Sequence, residues 1–470
     1  MNINKLSACT SILIGKNATI DGSTIIGRNE DAKSSWPKRF IVKKREQFDE
    51  KNIFKSKYNE LTIELPSLRY KYTCTPEWTD NEGLFEEDGI NEYGVAMSAT
   101  ESTYANDMVL GFDPLLKNGI SEEAIITIVL PYIKSAKEGV IRLGELIEKF
   151  GAAETNGILF SDKESVWYFE IGSGHHWVAQ RIPDDSYAVV ANQMAIQEIN
   201  FNNDNFLYSK NIKTFVLENN LNKNKNTFNF RNIFGTKDLM DTIYNTPRVW
   251  YGQKMFNPSD TLDNPKSQNF KFIRKPEELI DIFDAEKYLS SHYEGTEFDP
   301  TISKNKNVYR PISLAKTQES HLLQINEKYP PEIGSIHWLS MGVSAQSTFV
   351  PFFGGITDTP SEYKYETGLN YNNKSAYWIF KLTGVLMDPH YKTFENIIND
   401  NKSELRQFYL QKINETIKES NSEKDLNKLA TKKSFEISNH AINVFKKINS
   451  NLITQSTDFS PLNFKTDENL

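Results

Sequence analysis

The sequence of 470 residues is poor in cysteine and has fewer basic than acidic residues. Its two cysteines, Cys9 and Cys74, allow at most one disulfide, and a chain of this length does not need one to fold. A reducing, cytoplasmic compartment is therefore predicted. Lys and Arg number 54 against 62 Asp and Glu, which gives a net charge of −8. Because such a charge repels phosphate backbones and anionic lipid, we expect neither nucleic acid nor a membrane as partner.

Long apolar runs are also lacking. The longest, residues 124–133, has about half the length that a bilayer-spanning helix needs. The segment Leu6-Ser7-Ala8-Cys9 resembles a lipoprotein cleavage box, but residues 1–8 cannot supply the apolar region of a secretory signal. The protein is predicted to stay unexported, unless the natural start lies upstream of this chain.

Several signatures of common enzyme classes are absent. The chain has no phosphate-binding loop, no dinucleotide fingerprint, no zinc-peptidase H-E-x-x-H and no G-x-S-x-G turn. Its seven histidines are scattered, and the side chains of the adjacent pair His175 and His176 diverge on extended backbone. Since a metal site needs three or four convergent ligands, no metal site is predicted.

The composition is that of a folded protein, with 38% hydrophobic and 12% aromatic residues. A hairpin is indicated by two β-prone runs, 9–14 and 23–27, on either side of an Asp-Gly turn. Short β-prone runs separated by turn residues then predict a four-stranded antiparallel meander: 157–161, 166–171, 177–181 and 187–191.

Helical spacing appears between and after these strands. One helix is predicted to begin at Ser121, and another carries an apolar stripe over 143–150 and ends at Gly151. Two amphipathic helices are predicted between about Phe394 and Asn451. Because strands and helices are segregated rather than alternating, the predicted class is α+β with largely antiparallel sheets.

The first 31 residues carry the most chemical information. A cysteine in an apolar strand is usually a core residue. If the chain is cut between Ala8 and Cys9, however, the new α-amine can serve as general base to the thiol of its own residue. Arg28 would favour the thiolate, and the carboxylate of Asp31 would orient the two positive groups.

Longer runs of sequence resemble the dipeptidase A family of cysteine peptidases, peptidase family C69, within the N-terminal-nucleophile hydrolases. The runs that carry the resemblance are Ala8-Cys9-Thr10 with Gly27-Arg28-Asn29-Glu30-Asp31, and then residues 89–102, 167–193, 246–253, 337–340 and 349–352. The resemblance implies a four-layer αββα sandwich, hydrolysis of dipeptides, and no metal or organic cofactor. The runs cover the chain from Cys9 to about Gly355. With the helical spacing that follows, the predicted organisation is a propeptide at 1–8, a catalytic domain at 9–390 and a helical C-terminal extension at 391–470 packed on the same domain.

The resemblance further implies roles for single residues. Cys9 is similar to the nucleophile, and Arg28 and Asp31 match residues that line related acylase sites. Asn192 matches a residue that holds the oxyanion, and a role as a cap at the end of a strand is the alternative. Arg248 matches a second site arginine, and a structural surface arginine is the alternative. Glu101 stands where the acylases have an asparagine, so it is predicted to bind the α-ammonium of a dipeptide.

Two other functions are compatible with the same residues. One is an amide hydrolase of the choloylglycine hydrolase or penicillin V acylase type. The other is a non-catalytic regulator resembling the secernins, which would have no need of Cys9, Arg28, Asp31 and Asn192 together. The presence of all four favours the enzyme, and a homo-oligomer remains an open alternative.

Overall fold

The structure of the protein is a computed structural model. It describes residues 8–224, 226–302 and 308–463, and only the backbone of residue 8 and of residues 100–102. The strands are β1 (Ala8–Ile14), β2 (Thr24–Asp31), β3 (Ile41–Lys43), β4 (Glu46–Gln47), β5 (Asn52–Lys55), β6 (Thr62–Leu65), β7 (Leu68–Arg69), β8 (Tyr72–Cys74), β9 (Asp88–Ile90), β10 (Ala96–Ser102), β11 (Asn156–Ser161), β12 (Val166–Ile171), β13 (Trp177–Ile182), β14 (Tyr187–Val190), β15 (Phe206–Tyr208), β16 (Ile273–Arg274), β17 (Thr317–Ile325), β18 (Ser335–Met341) and β19 (Val350–Phe353).

The α-helices lie between and after these strands. They are α1 (Asp107–Phe112), α2 (Glu122–Val129), α3 (Ala136–Phe150), α4 (Ile212–Glu218), α5 (Phe230–Phe234), α6 (Asp241–Tyr244), α7 (Thr246–Phe256), α8 (Ile282–Leu289), α9 (Pro331–Gly334), α10 (Ala376–Met387), α11 (Tyr391–Ser420) and α12 (Leu426–Ser456). The predicted start at Ser121 is the N-cap of α2, and Gly151 ends α3 with φ 71°, a conformation that glycine adopts at little cost.

Two antiparallel sheets form the centre of the molecule. The seven-stranded sheet has the order β16-β14-β1-β2-β17-β18-β19, and the six-stranded sheet has the order β15-β13-β12-β11-β10-β9. Side chains alternate between the faces of each strand, so Leu13 and Leu159 fill the space between the sheets, whereas Ile12 and Ile158 face outward. Helices α2 and α3 cover the outer face of the six-stranded sheet, and α7, α8, α10 and α12 cover that of the other.

These contacts make four layers in the order helix, sheet, sheet, helix. The predicted α+β class with antiparallel sheets and a helical C-terminal part is confirmed. Helix α12 buries Ile437, Ala441, Phe445 and Ile448, whose spacing of three and four residues forms one stripe. Helix α10 lies before residue 390 and packs against α12, which lies after it, so one helical layer contains both sides of that residue. The boundary predicted between residues 390 and 391 stays a prediction.

The meander prediction is wrong for its last strand. Strands β11, β12 and β13 are consecutive neighbours in the six-stranded sheet, but β14 pairs with β1 in the other sheet. The turn before β14 hydrogen-bonds to the segment that follows β1, with Asn17 N–H donating to the Asp184 carbonyl at 2.7 Å. Alternation of side chains is the same in either sheet, so the pattern could not show that the chain crosses between them. Of the helices within the described residues, none is both long and apolar enough to cross a membrane.

Candidate active site around Cys9

Cys9 lies near the start of β1, inside the seven-stranded sheet. Its backbone pairs with Glu30 of β2, and its side chain is 6% exposed. On the other side, β1 pairs with β14 so that Ser11 is opposite Val190. The same register, continued for two residues, places Asn192 beside Cys9. The hairpin and the strand crossing thus bring residues from three parts of the chain together.

Arg28 contacts the sulfur of Cys9. Its Nη1 lies 3.1 Å from Sγ, its Nη2 donates to Glu87 Oε2 at 2.6 Å, and its Nε donates to Ser98 Oγ at 3.1 Å. The guanidinium is fully buried. Burial alone would lower the pKa of Arg28, but the charges of Cys9, Glu87 and Glu30 raise it well above its usual value. Arg28 therefore supplies a permanent positive charge at the sulfur.

A second buried arginine lies on the other side of Cys9. Arg248, in the first turn of α7, is 0% exposed, so the surface alternative is wrong for it. Its Nη1 donates to the Cys9 carbonyl and, at 2.9 Å, to Thr10 Oγ1. Its Nη2 donates to Asn192 Oδ1 at 2.7 Å and to Asn245 Oδ1 at 2.8 Å. Arg248 thereby links the backbone of Cys9 to the side chain of Asn192.

Asp31 is close to Cys9 through the backbone rather than through its carboxylate. Its backbone pairs with Ala8, so it lies opposite the residue that precedes Cys9. Its Oδ2 accepts from Arg310 Nη2, and its Oδ1 accepts from Thr317 Oγ1 at 2.5 Å. Since Arg28 and Asp31 are three residues apart on β2, their side chains point to opposite faces of the strand.

Glu101, the sixth predicted residue, lies on β10 opposite Gly157. Its side chain lies outside the described residues. The structure thus brings Cys9, Arg28, Asn192 and Arg248 together by side-chain or carbonyl contacts, and it places Asp31 beside them.

Residues that the sequence analysis missed support this set. They are Glu87 and Ser98 on Arg28, Arg310 and Thr317 on Asp31, and Asn245 on Arg248. Ser98 belongs to the run 89–102, which was already singled out, and Asn245 directly precedes the run 246–253. Nothing in the sequence marked Arg310.

A cleft of about 490 Å³ opens above Cys9 and is rich in carboxylates. Besides Cys9, its charged lining residues are Glu30, Asp31, Glu77, Glu82, Glu87, Glu122, Glu154 and Lys33. Burial raises the pKa of Glu30 well above its usual range, and the charge of Glu87 raises it further against the opposing effect of Lys38. Glu30 therefore keeps its proton more readily than an ordinary carboxyl group, and it is the other carboxylates that suit the cleft to a positively charged group.

The other cysteine lies elsewhere. Cys74 is 0% exposed in the core between the six-stranded sheet and its helices. Burial raises the pKa of its thiol well above the usual value, which keeps it protonated and unreactive.

The adjacent histidines bind side chains rather than one another. His175 Nδ1 lies 2.8 Å from Asp113 Oδ1, and His176 Nδ1 lies 3.0 Å from Ser209 Oγ. A different group, Asp88, Glu319 and His321, brings three metal-ligating atoms within 4.8 Å of one another, all buried.

The two antiparallel sheets between helical layers form a four-layer αββα sandwich, and Cys9 lies at the start of one of its central strands. The sequence profile of peptidase family C69 matches residues 8–404. The chain belongs to this family and is a peptidase.

Curated relatives are similar over most of their length. A protein of Latilactobacillus sakei named probable dipeptidase is 44% identical over 471 aligned residues, which cover 99% of each chain. Probable dipeptidase B of Lactococcus lactis subsp. lactis is 41% identical over 402 residues, covering 83% of this chain and 84% of that one. Among solved structures, penicillin V acylase of Agrobacterium tumefaciens matches with a TM-score of 0.34 and 16% identity, covering 77% of this chain and 89% of that one.

Proposed function

We propose that the protein is a dipeptidase in which Cys9, freed as a new N-terminus, attacks the peptide bond of a dipeptide. The observation that carries the proposal is the sulfur of Cys9 at an acidic cleft, 3.1 Å from a buried arginine. The names of the two relatives, 44% and 41% identical, support the substrate class.

Arg28 activates the nucleophile. A guanidinium is always charged in proteins, and a positive charge at 3.1 Å favours thiolate over thiol. Glu87 holds the guanidinium from the other side at 2.6 Å, which fixes its position but offsets part of its charge. The thiolate is the nucleophilic form of cysteine.

The general base in this proposal is the α-amine that cleavage between Ala8 and Cys9 releases. A free α-amine has a pKa of about 7.7 to 8.0, so near neutral pH it can take the thiol proton and return it to the leaving group. Because Ala8 pairs with Asp31, the new terminus would form at the end of β2 next to that residue. Removal of residues 1–8 also opens the space that Ala8 occupies.

Asn192 is proposed to hold the oxyanion. Its Oδ1 accepts from Arg248 Nη2 at 2.7 Å, which fixes the rotation of the amide and directs Nδ2 to the opposite side. An oriented amide donor stabilises the negative charge of a tetrahedral intermediate, and such a donor contributes about 100- to 1000-fold to the rate. Arg248 acts as a positioning residue, because it fixes both this amide and the Cys9 carbonyl.

The carboxylates of the cleft are proposed to select the α-ammonium of the substrate. Glu101 is the residue predicted to bind it, and two positions further along the chain Thr103 lines the cleft. Glu122 and Glu154 add negative charge at the same opening. An N-blocked dipeptide lacks the positive charge that these groups would bind, so it is expected to be a poor substrate.

The reaction then runs in two steps. The sulfur attacks the carbonyl carbon, the C-terminal amino acid leaves with a proton from the α-ammonium, and an acyl-enzyme remains on Cys9. Water attacks the thioester, gives its proton to the same amine, and releases the N-terminal amino acid. These steps need no metal or organic cofactor.

A cytoplasmic location belongs to the same proposal. The two cysteines of the chain, both among the described residues, are not joined by a disulfide, and a catalytic thiol is kept active in a reducing compartment.

The first experiment tests the leader and the nucleophile together. The intact masses of the purified wild type, Cys9→Ala and Cys74→Ala are compared, and each protein is assayed with dipeptides. We expect wild type and Cys74→Ala to lack residues 1–8 and to be active, and Cys9→Ala to be inactive. A wild type that keeps residues 1–8 and is fully active would rule out the free-amine mechanism.

The second experiment tests the substrate class. The processed protein is given free dipeptides, the same dipeptides with an acetylated N-terminus, a glycine-conjugated bile salt and penicillin V. Hydrolysis of the free dipeptides alone supports the proposal. Preference for the bile salt or the penicillin would assign the acylase alternative, and no turnover of any compound by a processed chain would favour a regulator.

A further inference from the structure

Lys33 lies at the mouth of the acidic cleft that contains Cys9. Of the described residues that line this cleft, Lys33 is the one basic residue, whereas seven are acidic. A dipeptide carries a positive charge at its N-terminus and a negative charge at its C-terminus. The carboxylates of the cleft suit the positive end, and Lys33 is the lining residue whose charge suits the negative end.

The other basic side chains around Cys9 are buried and hold other groups. Arg28 binds Glu87 at 2.6 Å, and Lys38 binds Glu30 at 3.1 Å. Four basic residues near Cys9 have side chains at most 7% exposed and do not belong to the cleft lining: Arg28, Lys38, Arg248 and Arg310. Within the described part of the chain, Lys33 is therefore the cation that a carboxylate in the cleft can meet.

The pairing of β1 with β2 places Lys33 on the same side of the sheet edge as the nucleophile. Cys9 pairs with Glu30 of β2, and β2 ends at Asp31, two residues before Lys33. Because the two strands are antiparallel, the end of β2 and the start of β1 lie at the same edge of the sheet. Lys33 leaves the sheet at this edge, and its side chain forms part of the cleft wall.

Two contacts hold the ammonium group of Lys33 in this wall. Its Nζ lies 3.8 Å from the centre of the Trp36 ring, which packs edge-on against Trp78 at 5.4 Å. A cation over an aromatic face is attracted by the charge distribution of the ring. The Nζ also lies 2.9 Å from Glu82 Oε2. The aromatic contact therefore limits the directions in which a long and flexible side chain can point.

The ion pair between Lys33 and Glu82 can be exchanged at little cost. The two side chains are 55% and 56% exposed. Exposed ion pairs contribute little to stability, because water and salt screen them. A carboxylate from the substrate can thus replace the carboxylate of Glu82 on the same ammonium group.

We propose that Lys33 binds the free α-carboxylate of the substrate in place of Glu82. This inference rests on the proposed function and extends it to the length of the substrate. A C-terminal amide, or a peptide with a third residue, has no negative charge at this position and gains no ion pair with Lys33. Without Lys33, the acidic cleft would repel the carboxylate of a dipeptide. The cleft therefore prefers dipeptides to their amides and to longer peptides.

The first test measures initial rates for one dipeptide and for its C-terminal amide. In Lys33→Gln, kcat/KM for the free dipeptide should fall about 10-fold through a higher KM, whereas the value for the amide should not change. The matched control is Lys57→Gln. Lys57 is also 55% exposed and lies 2.6 Å from an exposed carboxylate, that of Asp80, but it does not line the cleft. This control should keep the wild-type preference for the free dipeptide.

Ionic strength gives a second readout, in which the wild type is its own reference. Because the proposed ion pair is exposed, added salt should reduce the preference for the free dipeptide over its amide. The α-ammonium group is present in both compounds, so its interaction with the cleft cancels in the comparison. In Lys33→Gln the ratio should not depend on salt.

A third test does not require hydrolysis. In 2-carboxyethyl methanethiosulfonate, the carboxylate lies three bonds from the sulfur that a thiolate attacks, as the carboxylate of a dipeptide does from its peptide carbonyl carbon. The Cys9 thiolate forms a mixed disulfide with this reagent, and methanesulfinate leaves. Intact mass follows the rate for this acid and for the uncharged carbamoyl reagent in a Cys74→Ala background. The acid-to-amide ratio should fall about 10-fold in Lys33→Gln and stay unchanged in Lys57→Gln. A change in the thiolate fraction of Cys9 cancels in this ratio.

Three results would overturn the proposal. They are equal losses for the dipeptide and its amide in Lys33→Gln, an unchanged acid-to-amide ratio of the two reagents in that variant, and the same change of ratio in Lys57→Gln. A wild type that cleaves no dipeptide would instead refute the proposed function. The ratio of the two reagents would then decide by itself whether Lys33 binds a carboxylate beside Cys9.

Discussion

The contact between Arg28 and Cys9 makes a prediction whose size follows from the structure. At 3.1 Å, a unit positive charge and a thiolate attract each other by about 5 kcal/mol if the effective dielectric constant is about 20. This attraction energy is the upper limit of the effect. Glu87 at 2.6 Å from the same guanidinium offsets part of this. A neighbouring arginine typically lowers the pKa of an acidic group by about 1 to 3 units, or about 1.4 to 4 kcal/mol.

The single variant Arg28→Gln is not a clean test. It removes the nearer of the two cations beside the carboxylate of Glu87, which is 1% exposed, and leaves only Lys38 at 4.0 Å. Breaking a buried ion pair in this way costs about 3 to 5 kcal/mol of stability. Reduced activity could then come from unfolding alone.

The double variant Arg28→Gln/Glu87→Gln separates the two effects. Removing both charges of the pair avoids the buried, uncompensated charge that the single variant creates, so the thermal midpoint should recover most of the loss. The thiol has still lost its positive neighbour. We therefore expect kcat/KM near neutral pH to remain about 10- to 1000-fold below that of the wild type.

The assay follows the thiol directly. The rate of alkylation of Cys9 by iodoacetamide is measured against pH by intact mass, in a Cys74→Ala background so that one thiol reacts. Its midpoint should move to higher pH by about 1 to 3 units in the double variant. If the double variant instead regained the wild-type profile and wild-type kcat/KM, Arg28 would be only the structural partner of Glu87.

Three further predictions concern other residues. Arg248→Lys cannot replace the planar set of donors, so kcat should fall about 100-fold with KM little changed, and kinetics would show this. Glu101→Gln should raise KM for free dipeptides but not for N-acetylated ones, as initial rates would show. Burial lowers the pKa of Lys381 to about 8 from 10.5. As the pH rises, Lys381 therefore loses its proton in the folded state before it does so in the unfolded state. Wild-type stability should therefore gain up to about 3 kcal/mol relative to Lys381→Met between about pH 8 and 10.5, measured by urea unfolding.

Each of these has an outcome that contradicts it. Unchanged kcat in a folded Arg248→Lys would mean that Asn192 is oriented by other contacts. Equal changes for free and N-acetylated dipeptides would remove Glu101 from ammonium binding. A stability difference between wild type and Lys381→Met that does not vary with pH would show that Lys381 keeps its usual pKa.

The strand and helix pattern could be predicted because it depends on local spacing. The hairpin of β1 and β2, the start of α2 at Ser121 and the end of α3 at Gly151 all have local sequence signals. The sheet to which β14 belongs has none, because a short alternating strand can pair in either layer. That choice nevertheless decides the site, since β14 brings Asn192 to Cys9.

The partners of the site residues were harder to predict than the residues themselves. Arg248 follows Pro247 in a helix start, and its local sequence fits a surface position as well as the buried one that it occupies. Its contacts with Cys9 and Asn192 span more than 50 residues of chain, and only the assembled layers create them. The same holds for Arg310, which reaches Asp31 from 279 residues away.

The two arginines contact different atoms of Cys9, and the sequence alone did not show this. Arg28 contacts the sulfur and is anchored in the other sheet by Glu87 and Ser98, whereas Arg248 contacts the Cys9 carbonyl and orients Asn192. The proposed mechanism also requires a free α-amine at Cys9, and the contacts of the two arginines do not involve that group. Removal of residues 1–8 would therefore create the proposed base without disturbing the arginines, because Cys9 and Asn192, the proposed nucleophile and oxyanion donor, already make these contacts in the full chain. In the proposed mechanism, removal of residues 1–8 would therefore act by creating the base rather than by assembling the contacts around Cys9.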